Sequence, residues 1–229
     1  MSDFYRFPHT PHLAWSGAGA PRDDKVLSGE EVEELLSGPV VLEEKLDGAN
    51  LGFSVSLDGV LRAQNRGQYL HLPYAGQFAR LEEWLAPREG ALFDALGTSL
   101  IAFGEWCAAR HSIGYSSLPD WWLLFDIYDR QSGKFWSTPR RDALAADLDL
   151  AVVPRLAAGC FDLSTLLRLV KTSRSAFRNG PLEGVVIRHE NADWLIQRAK
   201  LVRADFTQSI ETHWRRQALS WNRLKPTTS

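Results

Sequence analysis

Apolar and polar positions along the chain change period several times, and each change marks an element. Ser28-Gly29-Glu30-Glu31 has the form of a capping box, a serine followed three residues on by a glutamate. It opens a short helix with Val32, Leu35 and Leu36 on one face, stopped by Gly38-Pro39. Residues 40 to 46 read as a strand. Leu51 to Leu57 and Val60 to Asn65 alternate around Asp58-Gly59, the strongest short hairpin signal in the chain. Phe78, Leu81, Trp84 and Leu85 fit one face of a helix. Strands are predicted over Leu100 to Trp106 and Trp121 to Tyr128. Thr138 before Pro139 predicts a cap and first helical position for a helix through Asp147, and Ser164 caps another that runs to Lys171. Glu183 to Arg188 and Trp194 to Leu201 predict two strands around Glu190-Asn191-Ala192-Asp193. Asp205 to Leu224 predicts a closing helix with a polar tail, and residues 1 to 27, rich in Pro, Gly and His, an extended N-terminal arm. Hairpins dominate and helices are scattered between them. The expected fold class is therefore α+β, antiparallel sheets with flanking helices, rather than a doubly wound parallel sheet. With no internal repeat or linker, residues 1–229 read as one domain.

Composition narrows this only slightly. The chain has 229 residues, 45% hydrophobic and 24% charged, ordinary values for a globular protein. No apolar run approaches the roughly 18 residues that span a bilayer. The N-terminus carries no charged-then-apolar leader, so the expectation is a cytoplasmic protein without a membrane role. Cys107 and Cys160 are the only cysteines, which supports neither a zinc site nor a disulfide framework. Most of the nine tryptophans are expected in the core. Net charge is −2, which argues against a surface coated for nucleic acid. Its distribution is uneven. Arg198, Lys200, Arg203, Arg215, Arg216, Arg223 and Lys225 stand against Asp205 and Glu211 alone in the last stretch. A local basic surface suits a phosphate-rich ligand held in one cleft, although a solvated helix face accounts equally for the residues beyond Arg203.

Four segments carry candidate chemistry. Glu44-Lys45-Leu46-Asp47-Gly48-Ala49-Asn50 places a lone lysine where an apolar strand meets a turn. Read alone, it is as well explained by a charged strand end. Read chemically, the amine is a nucleophile toward a nucleotide phosphate, provided that burial or nearby cations lower its pKa from about 10.4. Glu105 in Phe103-Gly104-Glu105-Trp106 and Glu183 in Leu182-Glu183-Gly184-Val185 sit within apolar segments. A carboxylate there needs a partner. Mg²⁺ and a ribose hydroxyl qualify, and so does a buried lysine or arginine. Arg198 and Lys200, two apart on a strand, share one face and form either a phosphate clamp or an exposed basic pair. Phe125 is a ring for a purine or a core residue.

In their order, these segments resemble the motif series of the covalent nucleotidyltransferases, the polynucleotide ligases and capping enzymes. From Lys45 to Lys200 the chain is most similar to RNA ligases, and within them to phage-type enzymes that seal nicks in double-stranded RNA. The resemblance rests on Lys45-Leu46-Asp47-Gly48-Ala49-Asn50, Asn65-Arg66-Gly67, Phe103-Gly104-Glu105-Trp106, Leu124-Phe125-Asp126-Ile127, Glu183-Gly184-Val185-Val186-Ile187 and Arg198-Ala199-Lys200. It implies a ligase adenylation domain of ATP-grasp-like type, with no OB-fold domain following. It implies Lys45 as the adenylated nucleophile, with Glu44 and Leu46 beside it in the nucleotide site and Asn50 in nick sealing. Arg66 would contact the nucleotide or the acceptor end, Glu105 the ribose, and Phe125 the adenine. Glu183, with Glu105, would bind the metal, and Lys200, with Arg198, the α-phosphate. The resemblance also makes His12, in the lead-in arm, an adenine contact.

Two departures from that pattern shape the expectation. Arg198 stands where the family usually has lysine, which preserves the charge but not proton transfer. Only 29 residues follow Lys200, which suggests a minimal enzyme or one whose missing C-terminal domain comes from a protein partner. The expected function is an ATP-dependent RNA ligase using Mg²⁺ or Mn²⁺ on RNA with 5′-phosphate and 3′-OH ends. ATP is preferred to NAD because the short N-terminal arm is no nicotinamide module. A DNA ligase, a GTP-using capping-type enzyme and a catalytically silent nucleotide- or RNA-binding module are the alternatives.

Overall fold

A computed structural model describes residues 4–15, 25–209 and 219–226. Helix α1 (Gly29–Leu35) begins at the expected capping box, with Ser28 Oγ accepting from Glu31 N and Glu31 Oε2 from Ser28 N. Strand β1 (Val40–Lys45) follows. The hairpin of β2 (Ala49–Val55) and β3 (Leu61–Gln64) turns at Gly59, whose φ of 74° is the left-handed conformation that favours glycine. The helix expected around residues 78–85 is divided into a 3₁₀ turn (Gly76–Phe78) and a short α2 (Leu81–Leu85). Helix α3 (Glu89–Leu96) was not anticipated. Leu92 and Leu96, four apart, bury one side of it.

Strands β4 (Leu100–Trp106) and β5 (Trp122–Asp129) match expectation, and β6 (Lys134–Phe135) adds a short edge. Helix α4 (Thr138–Asp147) carries Pro139 in its first turn, with Ser137 rather than Thr138 at the cap position. Strand β7 (Arg155–Gly159) was not anticipated, because its residues show no alternation. Helix α5 (Leu163–Thr172) is capped by Asp162, whose carboxylate accepts from Thr165 N at 2.7 Å, and not by Ser164. A charged acceptor wins that position. Strands β8 (Gly184–Glu190) and β9 (Leu195–Val202) form the last hairpin, followed by α6 (Ala204–Ser209).

The expected closing helix to Leu224 is incorrect at its far end. Residues 219–226 are extended, and Trp221 and Leu224 form bridges to Ala109 and Leu118. Their main-chain groups bond to a loop instead of to a preceding helical turn. Arg215 and Arg216 lie outside the described residues. The described part of the arm pairs with β9. Pro11 O accepts from Lys200 N and Leu13 N donates to Lys200 O, so residues 11–13 cover the open edge of β9.

The strands form two antiparallel sheets, ordered β7-β1-β8-β9 and β3-β2-β4-β5-β6. Helices α1 and α5 cover the first through a core that includes Leu35, Leu42, Leu166 and Ile187. The second packs Phe53, Trp106 and Trp122 against Trp84 of α2 and Leu92 and Leu96 of α3. Leu42, Phe53, Trp106 and Trp122 are fully buried, and each such side chain contributes about 1.5–3 kcal/mol by leaving water. This is the expected fold class. No helix among the described residues is long and apolar enough to cross a membrane.

Candidate active site

The chain crosses from one sheet to the other between Lys45, the last residue of β1, and Ala49, the first of β2. Leu46-Asp47-Gly48 makes that crossing, and the turn is tightly packed. A Cβ on Gly48 would lie 2.6 Å from Trp106 O, so only glycine fits. Asp47 N donates to Tyr115 Oη at 2.8 Å, Gly48 N donates to Glu105 Oε1 at 2.9 Å, and Asp47 Oδ2 accepts from Ile113 N at 2.7 Å. Lys45 is thereby held at the floor of a cleft of about 470 Å³ between the sheets.

Strand register then builds the site. Lys45 lies opposite Gly184, which brings Glu183 alongside, and Lys45 Nζ donates to Glu183 Oε1 at 2.6 Å. Asn50 lies opposite Glu105 across β2 and β4. Lys45, Leu46, Asn50, Arg66, Glu105, Phe125, Arg198 and Lys200 all line the cleft, although their segments are widely separated in the chain. Glu44 also borders it, but strand alternation turns its carboxylate to the other face, where it accepts from Ala176 N at 2.9 Å. Its side chain anchors a loop. His12 is buried outside the cleft lining; Thr10 and Phe7 are the arm residues that reach it.

Phe125 owes its direction to a β-bulge. The β4–β5 register shifts between Phe103 and Gly104, so that Phe125 is the extra residue and turns toward the cleft. Its carbonyl accepts from Arg141 Nη1 at 2.8 Å. Val186 lines the cleft on the β8 side and supplies an apolar surface to which the sequence analysis gave no role.

Electrostatics corrects one expectation. Lys45 is not surrounded by cations that lower its pKa. Burial pushes it down, but Glu183, Glu105 and Asp47 outweigh burial and hold the amine above its ordinary value. Glu183 is pushed up to about 8 and Glu105 to about 7, chiefly by burial and against the pull of Lys45. The cluster therefore retains protons. Several polar atoms here are also buried without a hydrogen-bond partner among the described residues: Glu183 Oε2, Asn50 Oδ1 and Arg66 Nε. Such atoms are costly unless a ligand satisfies them.

Arg198 has a second attachment. It lies opposite Arg188 on β8, a like-charge pairing that is destabilising by itself. Asp126, from the other sheet, resolves it by accepting from both: from Arg188 Nη1 at 2.8 Å and from Arg198 in a short contact. Arg188 also bonds Glu190 at 2.6 Å, while Arg141 pairs with Glu43 at 2.7 Å. The Arg198 guanidinium lies over the rings of Phe7 and Phe135, at 4.5 and 4.4 Å from their centroids. This buried network joins the sheets behind the cleft and was missed from sequence, where Asp126 and Arg188 are isolated charges in apolar strands. Asp126→Ala is expected to lower stability by about 3–5 kcal/mol, since it removes the carboxylate that pairs buried Arg198 and one of the carboxylates that pair Arg188. Urea unfolding measures the loss.

A protein-family model described as RNA ligase matches residues 38–202. The chain belongs to the RNA ligase family. The match includes Lys45, Asn50, Arg66, Glu105, Phe125, Glu183, Arg198 and Lys200. Among solved structures, the RNA ligase of Naegleria gruberi with PPi superposes with a TM-score of 0.65 at 17% identity, covering 90% of this chain and 64% of that one. A substituted form with ATP and Mn gives 0.60 at 17%, covering 80% and 55%. Another with AMP and Mn gives 0.58 at 17%, covering 91% and 64%. At such identity the likeness carries the fold. The present chain spans 55–64% of the length of these ligases. No curated protein matches the sequence.

Proposed function

We propose that this member of the RNA ligase family is an ATP-dependent RNA ligase that works through a lysine–AMP intermediate, with residues 1–229 acting as its nucleotidyltransferase domain. The observation that carries the reading is the Lys45 amine, 26% exposed, bonded to Glu183 in a cleft that Glu105 also lines. In the first step, Lys45 Nζ gives up its proton to solvent and attacks the α-phosphorus of ATP. An N–P bond forms, the bond to the bridging oxygen breaks, and pyrophosphate leaves. A 5′-phosphate end of RNA then takes the AMP and returns the amine. The 3′-hydroxyl attacks that phosphate, and AMP departs. Phe125 and Val186 flank the base and Lys200 faces the phosphates, while Arg198 lines the same cleft with its guanidinium held by Asp126. Arg66 and Asn50, with unsatisfied atoms, await the nucleotide or the RNA end. Positioning and electrostatic stabilisation carry most of the rate.

Glu105 and Glu183 fit a divalent cation, Mg²⁺ or Mn²⁺. Glu183 Oε2 is buried and has no hydrogen-bond partner among the described residues, and both carboxyls are held protonated above the ordinary 4.5 by burial, a cost that a cation relieves. Two carboxylates suffice, because Mg²⁺ keeps waters and takes phosphate oxygens. When bound, the cation offsets triphosphate charge and weakens the hold of the amine on its proton.

A pH dependence follows. Below about 7 and 8 the two carboxyls keep protons and are poor ligands, so at limiting Mg²⁺ adduct formation should rise with pH through that window and level above about 8. More Mg²⁺ should shift the rise to lower pH. The folded chain also holds protons that the unfolded chain releases near 4.5. The metal-free protein should therefore lose stability as pH rises from there toward 8, and Mg²⁺ should restore it. Melting curves across pH, with and without Mg²⁺, test the sign.

The primary experiment is incubation with α-labelled ATP and Mg²⁺ or Mn²⁺, followed by denaturing separation, with labelled GTP and NAD in parallel. AMP on the protein, then sealing of nicked RNA in preference to nicked DNA, supports the proposal. A GMP adduct would point to capping-type chemistry and DNA sealing to a DNA ligase. Absence of any adduct would favour a silent nucleotide- or RNA-binding module, the reading that a protonated Lys45 suggests.

A further inference from the structure

We propose that Asn222 is a positioning residue for the nucleophile, and that residues 219–226 brace the turn carrying Lys45; this rests on the lysine–AMP reading. Asn222 is buried, 4% exposed, yet lines no part of the cleft. Its side chain uses both ends. Nδ2 donates to Cys107 O at 2.8 Å and to Ala109 O at 3.2 Å, and Oδ1 accepts from Tyr115 N at 2.8 Å. Its own N–H donates to Ala108 O, and Arg223 N donates to Tyr115 O.

The loop so gripped, residues 107–118, forms no strand or helix and supplies few internal main-chain bonds. Buried main-chain groups need partners, and here residues 219–226 provide them. Tyr115, 3% exposed, continues the chain of contacts: its hydroxyl accepts from Asp47 N, two residues after Lys45. Ile113 N meets Asp47 from the same loop. The other wall is held as well, since the Trp221 ring stacks on Arg80 at 4.4 Å, just beyond the turn that places Gln77 and Phe78 in the cleft. Glu105 fixes Gly48 from β4, and β8 fixes β1. Without Tyr115, the Asp47 amide loses its partner and the bond from Ile113 N alone holds the middle of the turn. An in-line attack is sensitive to displacements of an ångström.

Asn222→Ala and Tyr115→Phe each remove one link. Each is expected to slow AMP–lysine formation at saturating ATP about tenfold, while KM for ATP moves less than about twofold, because neither residue touches the cleft. The double variant should be no slower than the worse single, as for two links in one chain. Amide hydrogen exchange of residues 46–48, read without nucleotide, should quicken in both variants while β1 stays protected. Normal rates in both variants, or additive losses that follow thermal stability with no change at residues 46–48, would overturn the proposal. If the wild-type chain forms no adduct, the ligase reading fails instead; quickened exchange at residues 46–48 in both variants would still show the brace, and unchanged exchange would refute it.

Discussion

Lys45→Ala is expected to carry no nucleotide after incubation with labelled ATP and Mg²⁺, a loss of about 1,000-fold or more in adduct formation. The group removed is the one that makes the bond, so what remains is binding and electrostatic stabilisation, with nothing to bind covalently. The fold should survive. Breaking a buried ion pair often costs about 3–5 kcal/mol because the remaining charge is stranded. Here the remaining group is Glu183, already pushed up to about 8, and it can stay neutral by keeping its proton. Lys45→Arg sharpens the test. It keeps a cation beside Glu183 Oε1 but offers no reactive amine, so stability near wild type should accompany a complete absence of adduct. Mass spectrometry of the intact protein and a melting curve read both quantities. An adduct on Lys45→Ala would place the nucleophile elsewhere and remove the basis of the proposal.

Glu183→Gln should have the second largest effect, roughly 100-fold on adduct formation, and should act in two ways. The amide replaces a carboxylate that faces both Lys45 and the proposed cation position, so dependence on Mg²⁺ should weaken and stabilisation of the fold by Mg²⁺ should shrink. The same change removes the largest influence holding Lys45 above its ordinary pKa, so the amine should release its proton at lower pH than in the wild type. The residual reaction should therefore be slower at every pH, yet begin its rise earlier. A variant that was merely misfolded would be slower without that displacement. Titrating Mg²⁺ at several pH values separates the two, and an unchanged Mg²⁺ dependence would exclude Glu183 as a ligand.

Much of the site was legible in the chain because each part is local. The lysine before a turn glycine, glutamates within apolar strands and a basic pair two apart are patterns of a few residues. The resemblance set them in order, and strand register brings Lys45, Asn50 and Glu105 to one cleft, with Glu183 bonded to Lys45 just outside its lining. Glu44 could have been read better. The period of two along β1 already places it opposite to Lys45, beside which it was expected to act. Asp126 and Arg188 were unreadable because their meaning lies in each other, across two sheets. The end of the expected closing helix failed for a related reason: amphipathic spacing around Trp221 and Leu224 fits a helix, but the donors and acceptors of loop 107–118 were better partners than a further turn.

By itself, the sequence determined most strands and helices, the turn chemistry at Gly48 and Gly59, and the residue types at the cleft, since these follow from periodicity and the steric demands of single residues. Only the tertiary structure decided the charge state of Lys45, the salt-bridge network behind Phe125 and the brace through Asn222. Those depend on burial and on distances between groups far apart in the chain, such as Lys45 and Glu183 or Tyr115 and Asn222, and no local pattern encodes either quantity.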